Sequence, residues 1–343
     1  MTGTGRKTPL TRRLLGRGAI LIVGAIALYV VAPSLLTLLH AVPQLGDVAI
    51  YWFLVVIAFE ALSFMSLWAL LRIALRTSNL FVVAVSQLAG NAASRVLPGG
   101  PAAGGVVQGG VLVRSGFPPA TVGAVLSATG LLTTGMLFAL PVLVIPAMLA
   151  GLAVPQELEL GLLLSLFLAA LLVGVGASVL WSDAVAHRLA GFVGWVVIRV
   201  VPAVGRRSRV TVVRRLIRER DEIRRAFDGH WASGLMAAAG NRMFDLGALV
   251  ASLLAVGGEA NPLLVLLAYV ASLALSFVPI TPGGLGFVEA GLTSLLVVAG
   301  ATAEQAVVAT LLYRLASFWL PIPLGLVAWG GWRATLRATD STA

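Results

Sequence analysis

The sequence contains no cysteine, which excludes a disulfide framework, a thiolate nucleophile and any thiolate-bound metal. Its three histidines, His40, His187 and His230, are scattered, so no zinc site and no cofactor are expected. Charge is scarce as well. Only 11% of the 343 residues are Asp, Glu, Lys or Arg, while 59% are hydrophobic and the mean hydropathy is +0.99. This balance excludes an ordinary soluble domain and makes lipid the solvent the chain needs. Clustered acids and an Asp-x-Asp metal pair are missing too, which counts against a membrane-embedded lipid transferase. The glycine pairs Gly99-Gly100, Gly104-Gly105 and Gly109-Gly110 lack the following Lys-Ser or Lys-Thr of a phosphate-binding loop. Their two GxxxG spacings read instead as close helix packing.

What the chain does have is apolar runs of membrane-spanning length. They lie near 18–39, 48–75, 120–148, 160–181, 233–256, 263–281 and 305–330, each about 20 residues or more. The first follows Arg6, Lys7, Arg12, Arg13 and Arg17, but it is too long for a signal-peptide core and is read as a retained span. Segments 79–97 and 102–116 differ: the first holds Ser86, Gln87, Asn91, Ser94 and Arg95, and the second is short. Together they predict a hairpin that enters the membrane and turns at Pro98, Gly99, Gly100 and Pro101. The expected fold is an all-α polytopic membrane protein of about seven full spans plus two re-entrant hairpins.

The turn recurs. Pro282-Gly283-Gly284 follows Pro98-Gly99-Gly100 by 184 positions, and the same offset carries 48–75 onto 232–259 and 120–148 onto 304–332. This spacing predicts a duplication. Its parts are a basic N-terminus and first span (1–47), repeat one (48–150), a connecting span (151–181), a basic amphipathic segment (182–231), repeat two (232–332) and a short tail (333–343). Arginines at the N-terminus, at 72 and 76, through 183–230 and at 333 and 337 contrast with the acids Asp47, Glu157 and Glu159 elsewhere. The positive-inside rule puts the N-terminus, the 182–231 segment and the tail in the cytoplasm and the chain in the cytoplasmic membrane. Counting crossings then makes the repeats inverted, an arrangement transporters use to place one site between two gates. A duplication that merely builds a stable bundle is the alternative.

Candidate site residues follow from charge at membrane depth. In Pro282-Gly283-Gly284-Leu285-Gly286-Phe287-Val288-Glu289 the proline and glycines, Gly286 included, break one helix. Glu289 falls in the first turns of the next, where the helix dipole favours a carboxylate. It reads either as a helix start or as a group facing a cavity, with Arg314 as its partner. Glu60 lies mid-span, and its offset position, Phe244, adjoins Asp245, which points to a pseudo-symmetric polar site. Alternatively, Arg242, three residues before Asp245, simply satisfies it. Arg95 closes its helix and reads equally as a dipole cap or a phosphate ligand. Between 188 and 225 stand eleven arginines among Trp195, Val196, Ile198, Val210, Leu216 and Ile217. They predict an amphipathic helix over anionic headgroups rather than a nucleic-acid surface.

The Pro-Gly-Gly-x-Gly-x-x-Glu stretch at 282–289, the earlier Pro98-Gly99-Gly100 turn and Tyr313-Arg314 resemble the lysylphosphatidylglycerol synthase transmembrane-region family, also called flippase-like, across roughly residues 15–335. The resemblance implies translocation of lipids with polar or glycosylated headgroups, sometimes coupled to a soluble aminoacyl-transferase domain. Only eleven residues follow Trp332, so that domain and lipid aminoacylation are not expected. The family pattern of Gly-Glu and then an arginine after the first turn is replaced by Gly104, Gly105 and Gln108, and an acid-arginine pair in the next helix by Ser127-Ala128-Thr129. The expected function is a non-enzymatic translocase whose partners are membrane lipids. Its pathway would be lined by Glu289, Arg314, Arg95, Glu60, Arg242 and Asp245. A membrane partner for a separate glycosyl- or aminoacyl-transferase is the alternative.

Overall fold

Why the chain breaks where it does is clear from its prolines, glycines and caps. The computed structural model describes residues 48–97, 99–200, 207–277 and 284–340, and among them every regular element is helical. The expected first span, together with Pro98, Pro282 and Gly283 of the two turns, lies outside the described residues.

Helix α1 (Ile50–Leu75) ends at Arg76, which takes a left-handed φ of 50°. Asn79 then caps α2 (Leu80–Val96) by accepting from the Val82 amide at 3.1 Å. Gly99 and Gly100 turn the chain at φ 103° and 52°, values that favour glycine. Pro101 begins α3 (Pro101–Arg114) at a position where its missing amide costs nothing. The two arms lie so close that a Cβ on Gly104 would sit 2.6 Å from the Gly90 carbonyl oxygen, as the GxxxG spacing predicted. Helix α4 (Pro119–Ala139) tightens into a 3-10 turn at Leu140–Val144 and continues as the short α5 (Ile145–Leu149). Then come α6 (Gln156–Trp181), α7 (Asp183–Val200) and α8 (Arg207–Phe227).

The second half begins with α9 (Trp231–Leu254) and α10 (Pro262–Leu275). Helix α11 (Phe287–Val298) starts from Gly286 at φ 79°, with Glu289 in its first turn. Thr302 and Gln305 form a reciprocal capping box at α12 (Ala303–Arg314). A π-helical turn, Leu315–Trp319, joins α12 to α13 (Pro321–Asp340). Pro321 and Pro323 lack the amides that the Ser317 and Trp319 carbonyls would need, which accounts for the local change of winding.

Four stretches are long and apolar enough to cross a membrane: Ile50–Leu75, Pro119–Leu149, Gln156–Trp181 and Ala303–Thr335. Two other expected spans differ. Helix α9 has the length but carries Asn241, Arg242 and Asp245, and α10 has 14 residues, about 21 Å of helix against a hydrocarbon layer of about 30 Å. Large apolar side chains stand exposed along the outside of the bundle, among them Leu54 and Met65 on α1, Leu163 and Phe167 on α6, and Val327 on α13. A chain with this exterior is a multi-pass membrane protein.

Helices α1 and α9 form the most extensive packed pair, with Gly247 against Phe59 and Gly240 against Ser66. Around them α6, α10, α11 and α12 build one apolar core, and α2, α3, α4 and α8 a second. The 182–231 segment departs from the single surface helix expected. It forms two helices, and α8 is tied into the bundle rather than resting on it. Phe227 is fully buried beside α1. The Arg76 guanidinium donates to the Arg225 and Asp228 carbonyls at 2.5 and 3.2 Å, capping α8 with a cation at its negative end. Arg220 is buried and pairs with Asp183 at 2.5 Å. That contact holds the Asp183 carboxyl below its ordinary range, through the hydrogen bond first and the charge second.

Candidate functional site

Glu289 and Arg314 meet inside the bundle. The break at Gly284 and Gly286 puts Glu289 at the start of α11, and Arg314 ends α12 where the π turn begins. The Arg314 Nε donates to Glu289 Oε1 at 2.8 Å and its Nη2 lies 2.6 Å from the same oxygen. Both side chains are largely withdrawn from the surface, at 10% and 18% exposure. Only the Nε contact is a hydrogen bond, so Glu289 Oε2 and Arg314 Nη2 are both buried without one among the described residues.

Phe318, in the π turn, brings a second cation to this pair. The Arg314 guanidinium lies 4.4 Å from its ring centre and that of Arg95, from the last turn of α2, lies 5.0 Å away. Arg95 Nη1 also donates to the Phe318 carbonyl. Beyond its place in the last turn of α2, the Arg95 side chain crosses to the approach to α13 and stacks on an aromatic face. Arg95 is in electrostatic reach of Arg314, Glu60, Asp245 and Tyr313, so the charged residues of both halves share one field.

Asp245 corrects the sequence reading. No ion pair joins it to Arg242 among the described residues. Its two oxygens instead accept from Tyr269 Oη at 2.7 Å and Tyr313 Oη at 3.0 Å. Arg242 donates from its Nε to the Thr133 carbonyl on α4 at 3.1 Å and also lies within reach of the Tyr269 hydroxyl. Spacing three on one helix allows contact but does not choose a partner, and buried phenols need an acceptor and compete well for a carboxylate. Glu60, on α1, is buried and interacts with Asp245 across the α1–α9 seam, while its Oε1 has no hydrogen bond among the described residues. One turn away, Asn241 donates to Ser63 Oγ at 2.8 Å.

The six expected residues therefore converge: three carboxyl groups (Glu60, Asp245, Glu289) and three guanidinium groups (Arg95, Arg242, Arg314), drawn from α1, α2, α9, α11 and α12. The turn residues Gly99, Gly100, Gly284 and Gly286 shape the hairpins and add no side chain to the cluster. Tyr269, Phe318 and Ser63 were not anticipated. Tyrosine is rare here, with four in the chain, and one at mid-membrane depth needs an acceptor; that was the available signal for Tyr269. Phe318 carried none, because its role depends on the π turn. Among the described residues no group of three or more His, Cys, Asp or Glu is placed to hold a metal ion.

This arrangement of a charged core within an apolar exterior accompanies a sequence match over most of the chain. A stretch of 72 residues is 40% identical to a UPF0104 membrane protein of Pyrococcus horikoshii, covering 21% of this chain and 22% of that protein. The chain thus spans about a fifth of that relative's length. The profile of the lysylphosphatidylglycerol synthase TM region matches residues 17–325, and the chain belongs to that family.

Proposed function

We propose that the protein is a lipid translocase of the cytoplasmic membrane. It moves an amphipathic lipid, with an anionic, aminoacylated or glycosylated headgroup, past the Glu289–Arg314 pair. The observation that carries this reading is the cluster of six ionisable side chains held between the two halves of an otherwise apolar bundle. Charges at that depth are costly and are kept where they meet a substrate or one another. Glu289 Oε2 and Glu60 Oε1, both buried and without a hydrogen bond among the described residues, give the cluster acceptors to offer a passing headgroup.

The same reading takes the halves as inverted repeats, each a span, a hairpin and a span, with the basic 182–231 segment in the cytoplasm. Two features support it. At an offset of 184 the described helices fall into register, α1 with α9, α2 with α10, α3 with α11 and α4–α5 with α12–α13. Packing is also reciprocal: α13 lies on α2, and its counterpart, the 140–144 turn, lies on α10. Broken helices meeting near the midplane are how inverted-repeat transporters hold a site accessible in turn from both sides.

The purified chain, reconstituted alone into vesicles that carry fluorescent lipids in both leaflets, tests the reading. Exposure of inner-leaflet lipid to a membrane-impermeant quencher is expected to exceed that in protein-free vesicles. No excess for any headgroup, together with stoichiometric co-purification of a transferase, would replace translocation by the partner role.

A further inference from the structure

The first half holds a cavity at the place that corresponds to the ion pair of the second. Helices α1 to α4 line a partly open cavity of about 280 Å³. The polar part of the wall comprises Gln87, Asn91 and Ser94 of α2, Gln108 of α3, and Thr129 and Thr133 of α4, and leucines of α1 and α4 line the rest. Among the described residues no Lys, Arg, His, Asp or Glu lines it.

Its emptiness has a cause in the sequence. Gly105 and Gly130 line the space, and a Cβ on either would meet nothing within 4 Å. These two glycines stand 184 positions before Glu289 and Arg314. Where one half fills the space with a carboxylate and a guanidinium, the other leaves it open. The substitution extends to the walls, since Asn91 and Gln108 correspond to Leu275 and Leu292 in the second half. The first half has thus exchanged charges for amides around an open volume.

Several of these polar groups are unsatisfied. Asn91 Oδ1 is buried without a hydrogen bond among the described residues. Gln108 Nε2 donates to Gln87 Oε1 at 2.6 Å, which leaves the Gln87 amide nitrogen as a free donor and Gln108 Oε1 as a free acceptor among the described residues. The Thr129 and Thr133 hydroxyls donate back to their own helix at 2.9 Å and so present lone pairs outward. The cavity offers donors and acceptors together, next to apolar surface, and no charge.

Resting on the translocase reading and narrowing it, we propose that this cavity binds the uncharged, hydroxyl-rich headgroup of a glycosyl lipid. Sugar hydroxyls both donate and accept, as the amides require. An anionic headgroup would find no charged side chain in the described lining, Arg242 donating its Nε to the Thr133 carbonyl, and would lose its hydration for little return. The leucine-lined part of the wall suits a sugar that is attached to a lipid rather than free.

Native mass spectrometry in a non-glycosidic detergent tests this, with diglucosyl diacylglycerol, phosphatidylglycerol of the same acyl chains, and free maltose added at equal concentration. The glycolipid is expected to be retained about tenfold over each of the others. Gly105→Glu with Gly130→Arg, which fills the cavity, is expected to bring it down to the phosphatidylglycerol level. Asn91→Leu, a milder change toward the residue of the other half, is expected to cost about threefold. Equal retention of phosphatidylglycerol, or glycolipid retention unchanged in both variants, would overturn the proposal, and maltose bound as well as the glycolipid would overturn its lipid part. The readout involves no translocation. A chain that binds glycolipid here but flips nothing removes the transport reading alone, and one that flips lipid without this preference removes the glycosyl site alone.

Discussion

Glu289 and Arg314 are 25 residues apart in sequence, yet each supplies what the other lacks. A buried ion pair is weak evidence for stability, but removing one partner strands the other charge. Arg314→Gln alone is therefore expected to destabilise the detergent-solubilised protein by about 3–5 kcal/mol. Glu289→Gln with Arg314→Gln, which strands nothing, is expected to unfold at a temperature closer to that of the unaltered protein. Thermal unfolding of the three proteins checks this, and a double variant less stable than the single would contradict it. At this scale the sequence revealed which residues are charged at depth, and that was enough to pair Glu289 with Arg314. It left open whether Arg242 satisfies Asp245, because helical spacing allows that contact, while the approach of Tyr269 and Tyr313 to Asp245 depends on how α10 and α12 pack on α9. Fold-level contacts decide such choices, and no local pattern encodes them.

Elements were easier to read than their partners. The helices of the first hairpin have boundaries within a few residues of those expected, because Asn79, Gly99, Gly100 and Pro101 act locally through capping and permitted φ values, and Gly286 likewise sets the start of α11, whereas α10 ends at Leu275, short of the expected 281. The close seating of α13 on α2 was not legible: Gly325 shows nothing in sequence, yet a Cβ there would run into the Leu88 carbonyl oxygen and lie 2.6 Å from Ala92 Cβ. Gly325→Ala is expected to cost about 1–3 kcal/mol by overpacking. Gly330→Ala on the same helix, where a Cβ meets nothing within 4 Å, is expected to be neutral or mildly stabilising. Equal unfolding temperatures for the two would refute the close-packing account.

The division of the 182–231 segment into α7 and α8 was also hidden, since arginines spaced for a surface helix do not announce that Arg220 turns inward to Asp183. Because the folded-state pKa of Asp183 is lowered, its contribution is present above the ordinary carboxylate range and is lost as pH falls through the lowered value. Hydrogen-exchange protection over 183–193, corrected for intrinsic rates, is expected to hold from neutral pH to about pH 4 and to fall below that. Asp183→Asn is expected to show the lower protection already at pH 7. Identical profiles for the two proteins would remove the ion pair from the account.

On the scale of the whole molecule, composition alone required lipid, and the repeated Pro-Gly-Gly turn organised the rest. Taken as the two related halves proposed above, the chain places different things at one position. A charged pair fills it in the second half, and an amide-lined space with no side chain at Gly105 or Gly130 occupies it in the first. Exteriors of large apolar residues and an interior of six ionisable groups reverse the pattern of a soluble protein. Such an interior is either a strut or a route. The measurement that separates these is the rate of lipid flipping in vesicles containing the Glu289→Gln, Arg314→Gln protein, with folding verified by its unfolding temperature. A route predicts a folded protein whose flipping falls at least about tenfold, about 1.4 kcal/mol in the barrier; a folded protein that flips lipid at the unaltered rate would make the pair a strut and contradict the account.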